Sequence, residues 1–246
     1  MTTSTAADAV LGVDTATADT TVAVACGGRV FGERAAGPGE DGRPRHAVAL
    51  LPQIEAAVEE AGGWERIGRI AVGVGPGTFT GLRIGISTAR ALAQGRDLTV
   101  TPVDSLAALA RGIEEAEGDA SDRLALLDAR RGELFAALYG VGDECLWKSF
   151  VATPEALCER LAELADPPVA AGDGSLRFRR PLEAAGVNVL PDPHPAHRMA
   201  ARHVCALAEG AEAEGAELLK PIYLRRPDAE VWRERQASDP QLPRSD

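Results

Sequence analysis

Three short stretches carry residue types and spacings suited to phosphate chemistry. Asp14-Thr15-x-Thr17 follows an apolar run and offers a carboxylate for a metal's water shell, with hydroxyls and amides for phosphate oxygens. Asp128, followed by Arg130, Arg131 and Gly132, stands at a similar point in the second half and adds two guanidinium groups. Gly75-Pro76-Gly77-Thr78 precedes a run of small residues, the outline of a backbone-amide anion site at a helix start. Each has a plainer reading. Asp and Thr hydrogen-bond their own turns readily, and a charged hairpin loop is usually just solvated. No Lys-Ser/Thr pair follows Gly77, so the loop is not a P-loop, and the glycine spacing is not the dinucleotide fingerprint. Gly132 lies four residues past Asp128, farther than a phosphate-clamping turn prefers.

The elements needed to hold these stretches repeat. Val10–Val13 reads as a buried strand ending at Asp14, returned by Thr20–Ala25, with Arg29–Arg34 as a third strand. Leu124–Tyr139 has the same outline around Asp128. In the first half a helix is expected over His46–Ala61, with Pro52 kinking it or moving its effective start to Leu51. Strand Arg69–Val74, helix Gly81–Gln94, strand Leu98–Val103 and helix Ser105–Ile113 follow. In the second half come strand Glu144–Val151, helix Pro154–Leu164, strand Val169–Ala171, a turn at Gly172–Gly174, a strand near Asn188–Leu190 and a helix from Ala196 to about Glu212. A hairpin-led sheet with helical crossovers, occurring twice, predicts an α/β protein with two related lobes, the layout of the actin-like ATPase and sugar-kinase (ribonuclease H-like) superfamily. The expected division is a disordered N-terminus over 1–9, a first lobe over 10–104, a second over 105–226 and a flexible tail over 227–246.

In the helix expected after Gly77, Gly81, Gly85, Ala89 and Ala93 recur every fourth residue and form one ridge. Such a ridge lets another helix approach closely, or packs tightly on its own sheet; spacing alone does not separate the two.

Composition narrows the function classes. The 246-residue chain carries a formal net charge of −11 and 45% apolar residues, enough for a substantial core but no basic stripe for gripping nucleic acid unaided. Its four cysteines are scattered with no CxxC pair, which favours buried free thiols in a reducing cytoplasm over disulfides or a metal site. His194 and His197 form an H-x-x-H broken by Pro195, a poor pair of metal ligands. The start of the chain has neither a basic nor an apolar leader region, and no apolar run reaches membrane-spanning length.

The stretch GPGTFTGLRIG, Gly75–Gly85, resembles the signature of the TsaB family, the dimerisation subunit of the bacterial tRNA threonylcarbamoyladenosine synthesis complex. GVDTAT near the start, RHAVALLPQI, LLDARRGELF and PIYLRRPDA agree in order, so the resemblance covers roughly residues 10–229. Two departures are RHA, where the family more usually has His-Ser, and Asp104-Ser105, where Ser-Ser is commoner. The resemblance implies a non-catalytic, cytoplasmic subunit that pairs with a catalytic TsaD-type subunit through first-lobe helices, or self-associates as a homodimer through a related surface. A TsaE-type ATPase completes the set, and tRNA is met through the complex, which attaches threonylcarbamoyl to the adenosine beside the anticodon of tRNAs reading ANN codons. The expected interface residues are His46, Leu50, Ile54, Gly81, Arg83, Gly85, Ala89 and Ala93. Asp14, Thr15, Thr17, Gly75, Gly77, Thr78, Asp128 and Arg130 are the candidates for a nucleotide or phosphate contact. No cofactor is expected on this chain itself, with ATP or ADP placed at an interface of the complex. Aligned on Val103, Ser105 and Leu109 stand where the catalytic relative carries a metal-binding histidine pair, so no metal is expected here. The rival function is an ATP-dependent small-molecule kinase of the same superfamily, for which Gly172-Asp173-Gly174 is the only adenosine-site candidate.

Overall fold

A computed structural model describes residues 8–118 and 121–225. The chain builds two five-stranded mixed sheets of the same design. In the first, β1 (Ala9–Asp14), β2 (Thr20–Cys26) and β3 (Arg29–Ala36) form an antiparallel meander. Helix α1 (His46–Glu60) leads to β4 (Ile67–Gly75), which pairs parallel with β1. Helix α2 (Phe79–Arg96) crosses to β5 (Thr99–Asp104), giving the order β3-β2-β1-β4-β5.

Helix α3 (Ser105–Glu117) carries the chain to the second sheet. There β6 (Arg123–Arg130), β7 (Glu133–Tyr139) and β8 (Cys145–Ala152) repeat the meander. Helix α4 (Pro154–Leu161), β9 (Val169–Ala171), the short helices α5 (Asp173–Arg177) and α6 (Arg179–Ala184), and β10 (Asn188–Val189) complete it. The order β10-β9-β6-β7-β8 is the first sheet's order read from the other edge, so the repeat seen in the sequence is a structural duplication. Helix α7 (Ala201–Glu209) follows.

Strand alternation sorts side chains into layers. Leu11, Val13, Val22 and Val24 point outward and are covered by α1 and α2 through Leu50, Ile54, Leu82, Ile86 and Ala89. Val10, Ala23, Ala25 and Ala71 point inward, where α3 and α7 lie between the sheets with Leu106, Leu109, Val204 and Cys205. The inward face of the first sheet is made of small residues because α7 sits close: a Cβ on Gly12 would overlap the Cys205 sulfur. From the other side the inner layer receives Leu127, Phe135 and Ala137, while α4 and α6 cover Leu124, Leu126 and Leu138.

Several expectations shift. Ala9 is already in β1, and residues 1–7 and 226–246, with the expected N-terminal and C-terminal tails, lie outside the described residues. Helix α1 runs unbroken in assignment from His46 through Pro52. The carbonyl left without a donor is that of Val48, which is 63% exposed, so water can satisfy it. Gly172–Gly174 opens α5 rather than forming a plain turn. The last helix starts at Ala201, because Pro195–His197 is a separate 3-10 turn held by the His197 ring. Although it follows the second sheet in the chain, α7 packs on β1 and β2 of the first. Only Cys205 of the four cysteines is buried; Cys145 is exposed.

Candidate functional site

The first hairpin turn is closed on itself. Asp14 at the end of β1 is buried, with Oδ1 accepting the Ala16 amide at 2.7 Å and Oδ2 accepting the Ser105 hydroxyl at 2.7 Å. Gly73 on β4 leaves the room this carboxyl occupies, for a Cβ there would overlap Asp14 Oδ2. Burial raises the Asp14 pKa to about 6 against the opposing hydrogen bonds. Thr15 is buried and donates its hydroxyl to the Gly81 carbonyl at 2.7 Å. Thr17 Oγ1 accepts the Asp19 amide at 3.2 Å, a local turn contact.

The glycine loop packs directly against this turn. The Thr78 amide donates to the Ala16 carbonyl at 2.7 Å, and Gly77 lies so close that a Cβ would overlap Ala16. Gly75 is buried beneath Leu82 and the Ile222 carbonyl. The turn and the loop therefore fill each other's concavity, where a phosphate clamp would leave the gap for its anion.

The small-residue ridge of α2 faces inward. A Cβ on Gly81 would run into the Thr15 carbonyl, and one on Gly85 into the Thr15 hydroxyl; Ala89 and Ala93 are buried in the first-lobe core. His46, Leu50 and Ile54 are buried as well, with His46 Nδ1 2.8 Å from the Thr20 hydroxyl and its pKa lowered by desolvation. Of the eight residues expected at a partner interface, only Arg83 is exposed. In the chain by itself the other seven lie beneath that surface, because α2 must approach the Thr15 turn closely. Sequence spacing located the stripe but missed what covers it. The faces left to solvent are others: Ala47, Val48, Leu51 and Pro52 make an apolar strip on α1, with Val48 63% and Leu51 51% exposed, and Thr80, Arg83, Ser87 and Ala91 line α2.

The second hairpin turn is built differently. Asp128 accepts the Arg130 amide at 2.8 Å, and its other oxygen receives the guanidinium groups of Arg177 at 2.8 Å and Arg130 at 3.2 Å. Its own amide donates to Asp173 Oδ1 at 2.9 Å, so Asp173 closes the start of α5 onto β6. Arg130 pairs with Glu133 across the turn.

Between the lobes, Asp104 caps α3 by accepting the Leu106 and Ala107 amides and is held by Ser149 of β8 at 2.6 Å. Ser105 is committed to Asp14, and Leu109 is buried in the inner apolar layer, where it offers a metal nothing. His197 accepts the Gly172 amide on Nδ1 and lies 3.0 Å from the Leu190 carbonyl through Nε2, while His194 Nδ1 accepts the Ala196 amide. His197 uses both ring nitrogens and His194 its Nδ1 on backbone groups, and no group of three metal-ligating side chains occurs among the described residues.

Comparison with known proteins agrees with this architecture. Residues 40–190 match the family model described as TsaD, tRNA N6-adenosine threonylcarbamoyltransferase. The tRNA threonylcarbamoyladenosine biosynthesis protein TsaB of Escherichia coli is 31% identical over 224 residues, 88% of this chain and 94% of that protein. The protein of the same name from Bacillus subtilis is 28% identical over 79% of this chain and 86% of its own length. The solved structure of YeaZ from Pseudomonas aeruginosa superposes with a TM-score of 0.70 at 28% identity, over 88% of this chain and all of that one. With the duplicated sheets in the same order, the closed first turn and relatives matched nearly end to end, the chain belongs to the TsaB family.

Proposed function

We propose that this chain is a non-catalytic subunit of the machinery that attaches threonylcarbamoyl to the adenosine beside the anticodon of tRNAs reading ANN codons, and that it acts by pairing with a TsaD-type catalytic subunit. Family membership supports the pathway. The observation that carries the pairing role is the apolar strip Ala47, Val48, Leu51 and Pro52, exposed on a helix whose opposite face is wholly buried. An apolar helix face beside the polar row of α2 suits packing on a second helix pair. A TsaE-type ATPase and a cytoplasmic setting complete the reading; no helix among the described residues is long and apolar enough to cross a membrane. The kinase alternative is not favoured. The first phosphate turn is closed by its own loop, and Asp173 is engaged by the Asp128 amide.

The test is co-elution of the tagged chain with the TsaD-type subunit of the same cell. Val48→Asp with Leu51→Asp is expected to weaken pairing at least about tenfold, since each places a charge in a desolvated contact, while the thermal melt of the isolated chain stays within a few degrees. Undiminished pairing by the double variant refutes the assignment of this face.

A further inference from the structure

The described part of the motif PIYLRRPDA, Pro221–Arg225, and the Arg130-Arg131 pair lie off the α1 strip, and the fold brings them together. After Leu219, buried in the first-lobe core, the Ile222 amide donates to the Val74 carbonyl at 2.7 Å. Tyr223 stacks on Phe79 with ring centroids 5.3 Å apart and accepts Arg83 Nε at 3.3 Å, while Arg83 lies over the Phe79 ring. Arg225 then reaches the second lobe, donating to the Ala129 carbonyl at 2.9 Å and pairing with Glu133 at 3.4 Å. Beside it stand Arg130, Arg131 and, through Asp128, Arg177. Four arginines from three separate segments, Arg130, Arg131, Arg177 and Arg225, thus stand together with three carboxylates, Asp128, Glu133 and Asp173, on a chain whose net charge is −11. Tyr223, 40% exposed, supplies an aromatic surface beside them.

The backbone adds an independent observation. Arg130 and Arg131 both have positive φ, 65° and 53°, ahead of Gly132 at 82°. The Arg130–Glu133 pairing makes Arg131-Gly132 a two-residue hairpin turn, whose first position favours Asn, Asp or Gly. Arginine is an unfavourable choice at two successive left-handed positions, and its presence there points to what the side chains do rather than to the turn.

We propose that this face, from Tyr223 across Arg225 to the Arg130-Arg131 turn, grips the sugar-phosphate backbone of the RNA substrate. The proposal rests on the reading that the chain works in a tRNA-modifying complex. Guanidinium groups match phosphate oxygens bidentately, and an exposed aromatic beside them can stack on an unpaired base.

The experiment titrates a fluorescein-labelled, in vitro transcribed tRNA with an ANN-reading anticodon against the chain paired with its TsaD-type subunit, across a salt series. The chain alone is titrated in parallel at low salt. Arg130→Asn with Arg131→Asn is expected to weaken binding about tenfold or more and to reduce the salt slope by about 1 to 2, one per lost phosphate contact. Pairing should persist and the melting temperature should hold or rise, because Asn suits both backbone positions. Arg43→Asn, which removes a charge from the loop before α1, should leave affinity unchanged. Unchanged affinity and slope in the double variant overturn the proposal. Equal loss in Arg43→Asn does so too, by reducing the effect to net charge, as does lost pairing with intact RNA binding, which assigns the face to a protein. A wild-type chain that fails to pair, yet binds RNA alone in a manner weakened by the two Asn substitutions, refutes the subunit reading and sustains the RNA surface.

Discussion

At the scale of single residues, the most consequential group is a carboxyl that the fold encloses. Asp14 titrates near 6 in the folded chain against about 4 in a free carboxyl, because burial outweighs its two hydrogen bonds. A raised folded pKa means the native state binds this proton more tightly than the unfolded chain. Its contribution therefore favours folding as pH falls from about 6 towards 4, and opposes it above 6 by about 3 kcal/mol. Asp14→Asn, which can keep the Ala16 and Ser105 contacts, is expected to raise stability at pH 7.5 by about 1 to 3 kcal/mol and to lose that advantage near pH 4. Urea unfolding at the two pH values checks this, and an advantage of equal size at both would contradict it. Gly85 is the second such position. Gly85→Leu is expected to unfold the first lobe, since its side chain would enter the space of the Thr15 hydroxyl. A folded variant that merely loses its partner would return the ridge to the surface.

At the scale of elements, much was legible and the failures share a cause. The apolar runs ending in Asp14 and Asp128 were visible as hairpins because strand alternation and turn chemistry are local. The stripe Gly81, Gly85, Ala89 and Ala93 was legible too, but a stripe does not say what lies against it; that depended on Thr15, 66 residues from Gly81. The return of α7 to the first sheet is likewise non-local, set by the match between Gly12 and Cys205 across 193 residues of chain. Short α5 and α6 hold too few turns for a periodic signal. The end of α2 supplies a prediction at this scale. Asp97 closes the helix with φ 55°, a left-handed position, and sets a negative charge at the negative end of the helix dipole. Asp97→Gly is expected to stabilise the chain by about 0.5 to 1 kcal/mol, read as a higher melting temperature. A lower one would show that its side chain makes a compensating contact.

At the scale of the whole molecule, the two lobes repeat one sheet design, and the first hairpin turn is filled by the glycine loop of its own lobe. What remains on the surface is an apolar strip on α1 and an arginine face near the lobe junction, both suited to holding other molecules in place. In the proposed role this chain transfers nothing itself and is needed for a catalytic partner to work, a population shift driven by binding energy. The most direct measurement is formation of threonylcarbamoyladenosine in an ANN-reading tRNA from purified components, leaving out one at a time. No product is expected from this chain with donor and tRNA alone, and most activity should be lost when it is omitted from the complete set. Product without the TsaD-type subunit, or full activity without this chain, would contradict that role.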